Sequence, residues 1–533
     1  MKNILRTALF LLLCLTLYLC LVPVAHAEDV ASGEWGSLSW TLDDNDLLTI
    51  SGEGEMKNFS YNSTDAWHNY KDQIVKVEIT SGVESIGNCA FSGCIRLTNI
   101  TIPESVMGIG SSAFEECWKL KNVTIPEGVT SIKSRTFDGC SSLTTVTIPP
   151  SVTLIGDEAF EACEKLDNVI IPEEVTNIGE RAFWACNSLT SIVIPESVIN
   201  IGNIAFLNCL SLTGIWVSQN NAVYSSDVHG VLFDKDKTNL IQAPCMLSDT
   251  YIIPSSVSQI YKNAFSFCDR LTALVIPDNV ISIGDYAFFG CRSLTSVTIP
   301  NSLTAINPGT FYACERLTKI VIPESVTSIG DEAFRGCDSL TNVALPQSVS
   351  SVGKNAFTYC HNLNNVTVPG NITVIADNAF SYCSGLISVT IQEGVKTIGY
   401  GVFRNCSKLT SVVIPESMKY IDPEAFKSCT NLKDIYYTGT KAQWEAIDID
   451  DYNEPLHNAT IHYIDLSLPA SLTAIESEAF AGGGFSSVRI PAGVTFIADD
   501  AFGNRTNLTI ISVPGSTAET FATAHGFTFV PAP

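Results

Sequence analysis

Basic residues are scarce in this 533-residue chain, which has 30 Lys and Arg against 55 Asp and Glu and a formal net charge of −25. Nucleic acids and anionic membranes bind proteins through a basic footprint, so this balance argues against both kinds of partner. An acidic surface favours solubility, and a basic partner is the alternative interpretation. Charged residues make up only 16% of the chain, whereas 46% is hydrophobic, which is enough for an extensive core.

Motifs of catalysis and metal binding are also missing. No GxSxG, HExxH or glycine-rich phosphate loop stands in a supporting context, and no two cysteines are spaced as CxxC. The seven histidines are scattered and do not follow the cysteines, which argues against a zinc site. A calcium loop around Asp234 and Asp236 would lack its usual glycine and distal glutamate. We therefore expect that the protein is not an enzyme and that it binds no cofactor and no metal.

Long hydrophobic runs are absent after the N-terminus. The apolar run Ala8–Leu21 follows the basic residues Lys2 and Arg6, and the residues from Ala25 to Ala27 form a small-x-small cleavage pattern. A run of this length with these flanks is typical of a signal peptide and is too short for a membrane span. The sequence therefore predicts no transmembrane segment and a secreted, extracellular protein. Non-covalent association with the cell surface is the alternative.

What the sequence does contain is a repeat. A phenylalanine, usually preceded by alanine, recurs every 23 residues in two runs that are separated by a gap of 59, and two further copies follow. A fixed period of roughly 20–50 residues is the signature of repeat architectures, so the predicted fold class is a β-rich repeat solenoid. The repeated positions are Phe91, Phe114, Phe137, Phe160, Phe183, Phe206, Phe265, Phe288, Phe311, Phe334, Phe357, Phe380, Phe403, Phe426, Phe480 and Phe502.

The segment from Leu317 to Cys337 shows how one unit is built. It reads LTKIVIPESVTSIGDEAFRGC and starts like a strand, because inward and outward residues alternate around Val321. Pro323 lacks a donor and ends the strand, and Gly330 permits a bend. Asp331 can cap a short helical turn. The predicted inward residues are Leu317, Ile320, Ile322, Val326, Ile329, Ala333 and Phe334.

A single unit cannot bury so many apolar side chains, but stacked units can, because each coil covers the apolar edge of its neighbour. The units resemble the BspA-like, Treponema pallidum-type leucine-rich repeats, whose pattern is roughly LxxIxIPxxVxxIGxxAFxxC. The resemblance covers about residues 74–515. Gln392 in place of the strand-ending proline departs from the pattern, and so does Gly482–Gly484 in place of the cysteine region.

This resemblance carries implications for fold and role. It implies a right-handed leucine-rich-repeat solenoid with 23-residue coils, short helical turns and non-repeat caps at both ends. It also implies an extracellular or surface-exposed protein that takes part in adhesion and in binding host or matrix proteins.

The segments outside the regular repeat predict the domain organisation. In the N-terminal segment, Trp40–Leu42 and Leu48–Ile50 alternate around a turn and are expected to pair as a hairpin that caps the first coil. A second hairpin is expected in the gap of the array, and a helix is expected around Trp444. The predicted segments are 1–27 (signal peptide), 28–73 (N-terminal β cap), 74–435 (repeat array, with an irregular insertion at about 218–244), 436–463 (irregular closing segment) and 464–533 (short C-terminal repeat module and cap).

Fifteen of the 18 cysteines occupy one position of the repeat, which usually follows the phenylalanine by three residues. Because neighbouring thiols would lie close together in an exported protein, disulfides between coils are one interpretation. Since each thiol would have two equivalent neighbours, we instead predict a buried ladder of mostly reduced thiols. The ladder comprises Cys94, Cys117, Cys140, Cys163, Cys186, Cys209, Cys245, Cys268, Cys291, Cys314, Cys337, Cys360, Cys383, Cys406 and Cys429.

The outward positions of the strands are the best candidates for a binding surface, because they carry mainly amides, hydroxyls and small apolar groups. Trp216 and Tyr436 replace small side chains there, and Phe289 and Tyr312 form a further aromatic pair one coil apart. Aromatic residues are typical binding anchors, although packing within the protein is the alternative for each of them. Strand propensity alone is the alternative for the threonines. The candidate partner-binding residues are Trp216, Tyr436, Phe289, Tyr312, Thr298, Val321, Thr367 and Thr390.

The sequence is compatible with three different functions. The first is a secreted or cell-surface protein that binds an extracellular protein or glycan, as a monomer, through the strand side of the solenoid. The second is a structural or spacer protein of the cell surface. The third is a carbohydrate-active hydrolase with a site in the irregular segments. The repeat and the missing catalytic motifs favour the first.

Overall fold

Coils of about 23 residues make up most of the computed structural model, which describes residues 28–463, 466–481 and 485–532. The predicted signal peptide over 1–27 lies outside the described residues. The described chain divides into two compact units, one with residues 28–186 and 200–205 and the other with residues 187–199 and 206–532. Each unit is a stack of coils, as the 23-residue period predicts.

The first unit begins with a hairpin and continues as coils of two short strands. Trp40 pairs with Ile50 in the hairpin, which confirms the predicted pairing. The last hairpin strand then pairs in parallel with the first coil. The elements are strands Asp29–Trp35, Leu38–Asp43, Leu47–Gly52 and Gly54–Glu55, the 3₁₀ helix Ala66–Tyr70, and strands Lys76–Ile79, Val83–Ile86, Asn99–Thr101, Gly108–Ile109, Asn122–Thr124, Ser131–Ile132, Thr145–Thr147, Leu154–Ile155, Asn177–Ile178 and Asn200–Ile201.

The second unit has the same coil design. Its first strands pair in parallel with an offset of one repeat, so Thr367 lies beside Thr390 and equivalent positions form columns. The first strand is found at Ile192–Ile194, Ile215–Val217, Asp249–Ile252, Leu271–Val275, Ser296–Val297, Asn365–Val368, Ser388–Ile391, Ser411–Ile414, Asp434–Tyr437 and Thr460–His462. In the coils of Lys319 and Asn342 the equivalent segment forms only isolated parallel bridges. The second strand is found at Gln259–Ile260, Ser282–Ile283, Ala305–Ile306, Ser328–Ile329, Ser351–Val352, Val374–Ile375, Thr397–Ile398, Tyr420–Ile421 and Asp448–Ile449.

Irregular segments of the second unit also follow expectation. Antiparallel strands Tyr224–Ser226, Leu232–Asp234 and Asn239–Gln242 form the insertion. The carboxylate of Asp234 accepts hydrogen bonds from the backbone N–H groups of Thr238 and Asn239, so it shapes the turn of this hairpin. The predicted helix around Trp444 is present. The remaining elements are helices Lys441–Glu445, Glu454–Asn458 and Thr517–His525, and strands Leu466–Ser467, Ala474–Ile475, Ser487–Arg489, Phe496–Ile497, Thr509–Ser512 and Thr528–Pro531.

The repeated phenylalanines form the centre of the core. Phe334 is 0% exposed. Its ring stacks on Phe311 at 5.4 Å and on Phe357 at 5.1 Å, nearly parallel to both. The same stacking links the rings from Phe91 to Phe183 in the first unit. These contacts confirm that consecutive coils share an apolar interior within each unit.

The side of the coil that carries the phenylalanine consists of single hydrogen-bonded turns, not helix. In the coil of Phe334, Glu332 has φ = 56° and Gly336 has φ = 71°, both in the left-handed region. A right-handed helix cannot pass through such residues. Asp331 therefore does not cap a helical turn as expected. Its carboxylate accepts from the backbone N–H of Lys354, one coil later, at 2.7 Å.

Gly330 has a different role from the expected bend. A Cβ there would lie 2.5 Å from the backbone nitrogen of Pro308 in the preceding coil, and φ is not in the left-handed region. Glycine is therefore required because two backbones approach closely, which no side chain permits.

The cysteine ladder is a second set of contacts between coils. None of the sixteen described cysteines forms a disulfide, and fifteen of them are buried. The Sγ atom of Cys337 donates to the carbonyl oxygen of Phe311 at 3.2 Å, and neighbouring coils repeat this contact. Burial raises the pKa of the Cys314, Cys337, Cys360 and Cys383 thiols, to about 12 at Cys383, which keeps these four protonated as donors. Cysteine thus adds a donor that alanine lacks.

Candidate functional site: the outward rows of the strands

The outward rows are the positions, on the first strand of a coil or on the equivalent segment of a coil without that strand, whose side chains point away from the core. In the strand Asn365–Val368, Val366 and Val368 are buried whereas Asn365 and Thr367 are exposed. Because side chains alternate along a strand and equivalent residues stack from coil to coil, each unit presents two rows of such side chains. The rows can contact a partner without disturbing the core.

Three predicted residues are fully available on these rows. Thr298 and Thr367 are exposed, and Val321 is 79% exposed. Thr390 is half-buried. The exposed valine matters most, because an apolar side chain in water beside fully buried neighbours gains from contact with a partner.

Trp216 lies on the outward row of the strand Ile215–Val217 and remains 37% exposed. Its indole covers Gly214, two residues earlier on the same side of the strand. A Cβ at Gly214 would lie within 2.7 Å of three indole atoms. The indole can lie flat on the sheet because Gly214 has no side chain that would displace it.

Tyr436 is placed differently. Its ring stacks on His462 at 4.7 Å with an interplanar angle of 16°. It also packs against a buried cluster of Val413, Ile511, Val530 and Ala532. The last strands of the chain therefore cover the outward rows near Tyr436, and the packing alternative describes this residue.

Phe289 and Tyr312 do not lie on the strands. They follow the core residues Phe288 and Phe311 on the turns, where their ring centroids are 5.0 Å apart. The guanidinium of Arg335 lies 5.3 Å from the Tyr312 ring in the next coil. These half-buried rings pack on one another, so the turn side is a separate aromatic surface. Sequence reasoning missed Arg335, although it also directly follows a core phenylalanine.

The same turn position carries acids in the first unit. Glu115, Asp138 and Glu161 follow core phenylalanines in three consecutive coils, and Arg135 lies 3.9 Å from Glu115. Burial raises the pKa of Asp138 to about 7, and the negative charges of Glu161 and Glu115 add to the shift. The column was not singled out from the sequence, because its members look like ordinary surface acids one coil at a time.

Among the described residues, no group of three or more His, Cys, Asp or Glu side chains is arranged to hold a metal ion. No helix in that part of the chain has the length and apolar character needed to cross a bilayer.

The family model described as BspA type leucine-rich repeat region matches residues 63–187, 108–228, 243–364, 304–433 and 456–525, which together make up most of the chain. No curated protein matches the chain.

Several solved structures are similar. A leucine-rich cell surface protein from Faecalibacterium prausnitzii A2-165 is 28% identical over 80% of this chain and 99% of its own, with a TM-score of 0.46. A leucine-rich repeat protein from Bacteroides ovatus ATCC 8483 is 24% identical over 83% of this chain and 100% of its own, with a TM-score of 0.42. The leucine-rich repeat protein of T. pallidum is 29% identical over 35% of this chain and 86% of its own, with a TM-score of 0.30.

Proposed function

The chain belongs to the BspA-type leucine-rich repeat family, and we propose that it binds an extracellular protein or glycan on the outward rows of its strands. The observation that carries this proposal is the recurrence of exposed apolar side chains at one repeat position, where Val193 is 58%, Val275 41% and Val321 79% exposed. Exposed apolar patches commonly mark interaction sites, whereas a single exposed valine does not.

The chemistry of the rows supports recognition more than catalysis. Thr298, Val321 and Thr367 offer hydroxyl and methyl groups, which make contacts but do not transfer protons at neutral pH. A role without catalysis also agrees with a family of repeat proteins. The turn-side rings of Phe289 and Tyr312 are a secondary candidate surface of the same protein.

We also propose that the protein acts outside the cell, either secreted or associated non-covalently with the surface. The apolar run Ala8–Leu21 with its basic start and small-residue cleavage pattern supports export. The excess of 55 acidic over 30 basic residues supports a soluble protein and a partner that is not nucleic acid.

A pair of matched double variants tests the binding surface. Thr298→Arg with Val321→Arg places two bulky charges on the outward row, and Thr304→Arg with Thr327→Arg places the same charges on exposed positions elsewhere in the same two coils. Binding would be measured on an array of extracellular matrix proteins and glycans. We expect the outward-row pair to weaken the strongest interaction about tenfold or more and the control pair to leave it unchanged within about threefold.

Two results would contradict the proposal. One is that the wild-type protein binds nothing on the array or on cells from its environment. The other is that the outward-row pair leaves the strongest interaction intact, whatever the control pair does.

A further inference from the structure

The indole of Trp216 lies face-down on its strand. A Cβ built on Gly214 would meet Cε2 at 2.5 Å, Cζ2 at 2.5 Å and Nε1 at 2.7 Å. These three atoms span both rings of the indole, and their nearly equal distances mean that the ring plane faces the glycine. Any residue other than glycine at this position would push the indole away from the sheet.

The second face of the indole is turned outward. Trp216 is 37% exposed although one face is covered, so most of that exposure belongs to the opposite face. Val193 is 58% exposed at the equivalent position of the preceding coil, where it pairs with Trp216 across the strands. A flat aromatic face thus adjoins a small apolar side chain.

The outward rows of these two coils carry no charged side chain, and in the adjoining insertion His229 lies 3.6 Å from Asp227. The outward rows of the two coils hold Ser191 and Val193 in one and Gly214 and Trp216 in the next. A phosphate, sulfate or carboxylate ligand would require a cation there. A neutral ligand with both apolar C–H groups and hydroxyls would not.

We propose that Trp216, held by Gly214, is a stacking platform for the pyranose ring of a neutral glycan. One face of a pyranose presents axial C–H groups that pack on an aromatic face, while its equatorial hydroxyls point sideways toward polar groups such as Ser191. This inference rests on the proposed function, because it names the partner class for one part of the outward rows.

A protein partner fits this arrangement less well. Aromatic hot spots of protein interfaces stand up from the surface and fill a pocket of the partner. An indole that lies flat on a sheet cannot be inserted, but it can be covered by another flat surface. The geometry therefore favours a sugar ring over a protein pocket.

Affinity electrophoresis of the full chain through gels that contain soluble mannan, xylan, mixed-linkage β-glucan, dextran or starch tests the platform. Trp216→Ala removes the ring, and Gly214→Ala keeps the ring but displaces it. Trp118→Ala is the matched control, since Trp118 is 47% exposed elsewhere in the repeats. We expect at least one polysaccharide to retard the wild type and the control equally. Both platform variants should weaken that interaction about tenfold.

The inference is overturned if no polysaccharide retards the wild type, or if retardation survives in Trp216→Ala. Circular dichroism of each variant excludes unfolding as the cause of a loss. If the polysaccharides fail while a protein on the array still loses binding in the Thr298→Arg with Val321→Arg pair, only this inference falls. If neither ligand class depends on the outward rows, the proposed function falls with it.

Discussion

Replacing Phe334 by alanine probes the shared interior at a single point. The side chain is 0% exposed, and its ring stacks on Phe311 and Phe357, with centroids 5.4 Å and 5.1 Å away. A buried Phe→Ala change costs about 3–5 kcal/mol through lost burial and the remaining cavity. Each aromatic pair contributes about 0.5–1.5 kcal/mol beyond buried area. Because two pairs are lost here, we expect a value near the upper end of that range.

Chemical denaturation gives the total free energy, but a long repeat protein need not unfold in one step. Hydrogen exchange is therefore the better assay, because it locates the loss. The amides of Phe311 and Phe334, which donate to the next coil at 2.8 Å, should lose protection most. The control is Phe496→Ala, whose side chain is 51% exposed. A cost of about 1 kcal/mol or less for Phe334→Ala, similar to the control, would refute the buried ladder.

Three other predictions follow from contacts between coils. Gly330→Ala should cost about 1–3 kcal/mol in denaturant unfolding, because its Cβ would meet the Pro308 backbone at 2.5 Å. Gly108→Ala, where a Cβ meets nothing within 4 Å, should be neutral, and equal effects of the two would disprove the close approach. Because the pKa of Asp138 is raised to about 7 in the folded protein, folding favours the protonated acid. This residue's contribution to stability is therefore lost as the pH rises from about 4 to about 7. Asp138→Asn should abolish that loss and be more stable than the wild type at pH 8 in thermal unfolding; an unchanged pH profile would contradict the burial of this acid. Val530→Asp should release the last strands from Tyr436 and raise the exchange of Asp434–Tyr437 amides, while Val228→Asp, at a position 86% exposed, should not.

The repeat made the core predictable, because one period fixes which side chains point inward in every coil. Phe334 and its equivalents from Phe91 to Phe426 were placed correctly from the spacing alone, and so was the hairpin that contains Trp40 and Ile50, whereas Phe480 is only partly buried. The helix around Trp444 was also expected and is present, since its sequence departs from the repeat.

Contacts between coils were less predictable, because they depend on distances that a one-dimensional pattern does not contain. Gly330 was interpreted as a bend and Asp331 as a helix cap. The first instead accommodates a neighbouring backbone, and the second binds a neighbouring N–H. Val530 covers Tyr436 although the two residues are almost a hundred positions apart, so no local sequence pattern predicts this contact.

The candidate surfaces show the same limit. Thr298, Val321 and Thr367 could be named from strand alternation, but the flat orientation of Trp216 required the position of Gly214. The turn position after the core phenylalanine varies in chemistry from coil to coil. From coil to coil this position places Asp138 between the acids Glu115 and Glu161, and no single unit indicates that these three lie together.

Thiol labelling of the native protein is the most direct test of the claim that coils share their interiors. Each of the fifteen ladder cysteines is buried, and only Cys89 among the sixteen described cysteines is partly accessible. An alkylating reagent followed by peptide mass spectrometry should modify at most Cys89 in the folded state and all sixteen after unfolding without reductant. Modification of several ladder cysteines in the folded protein would contradict the account.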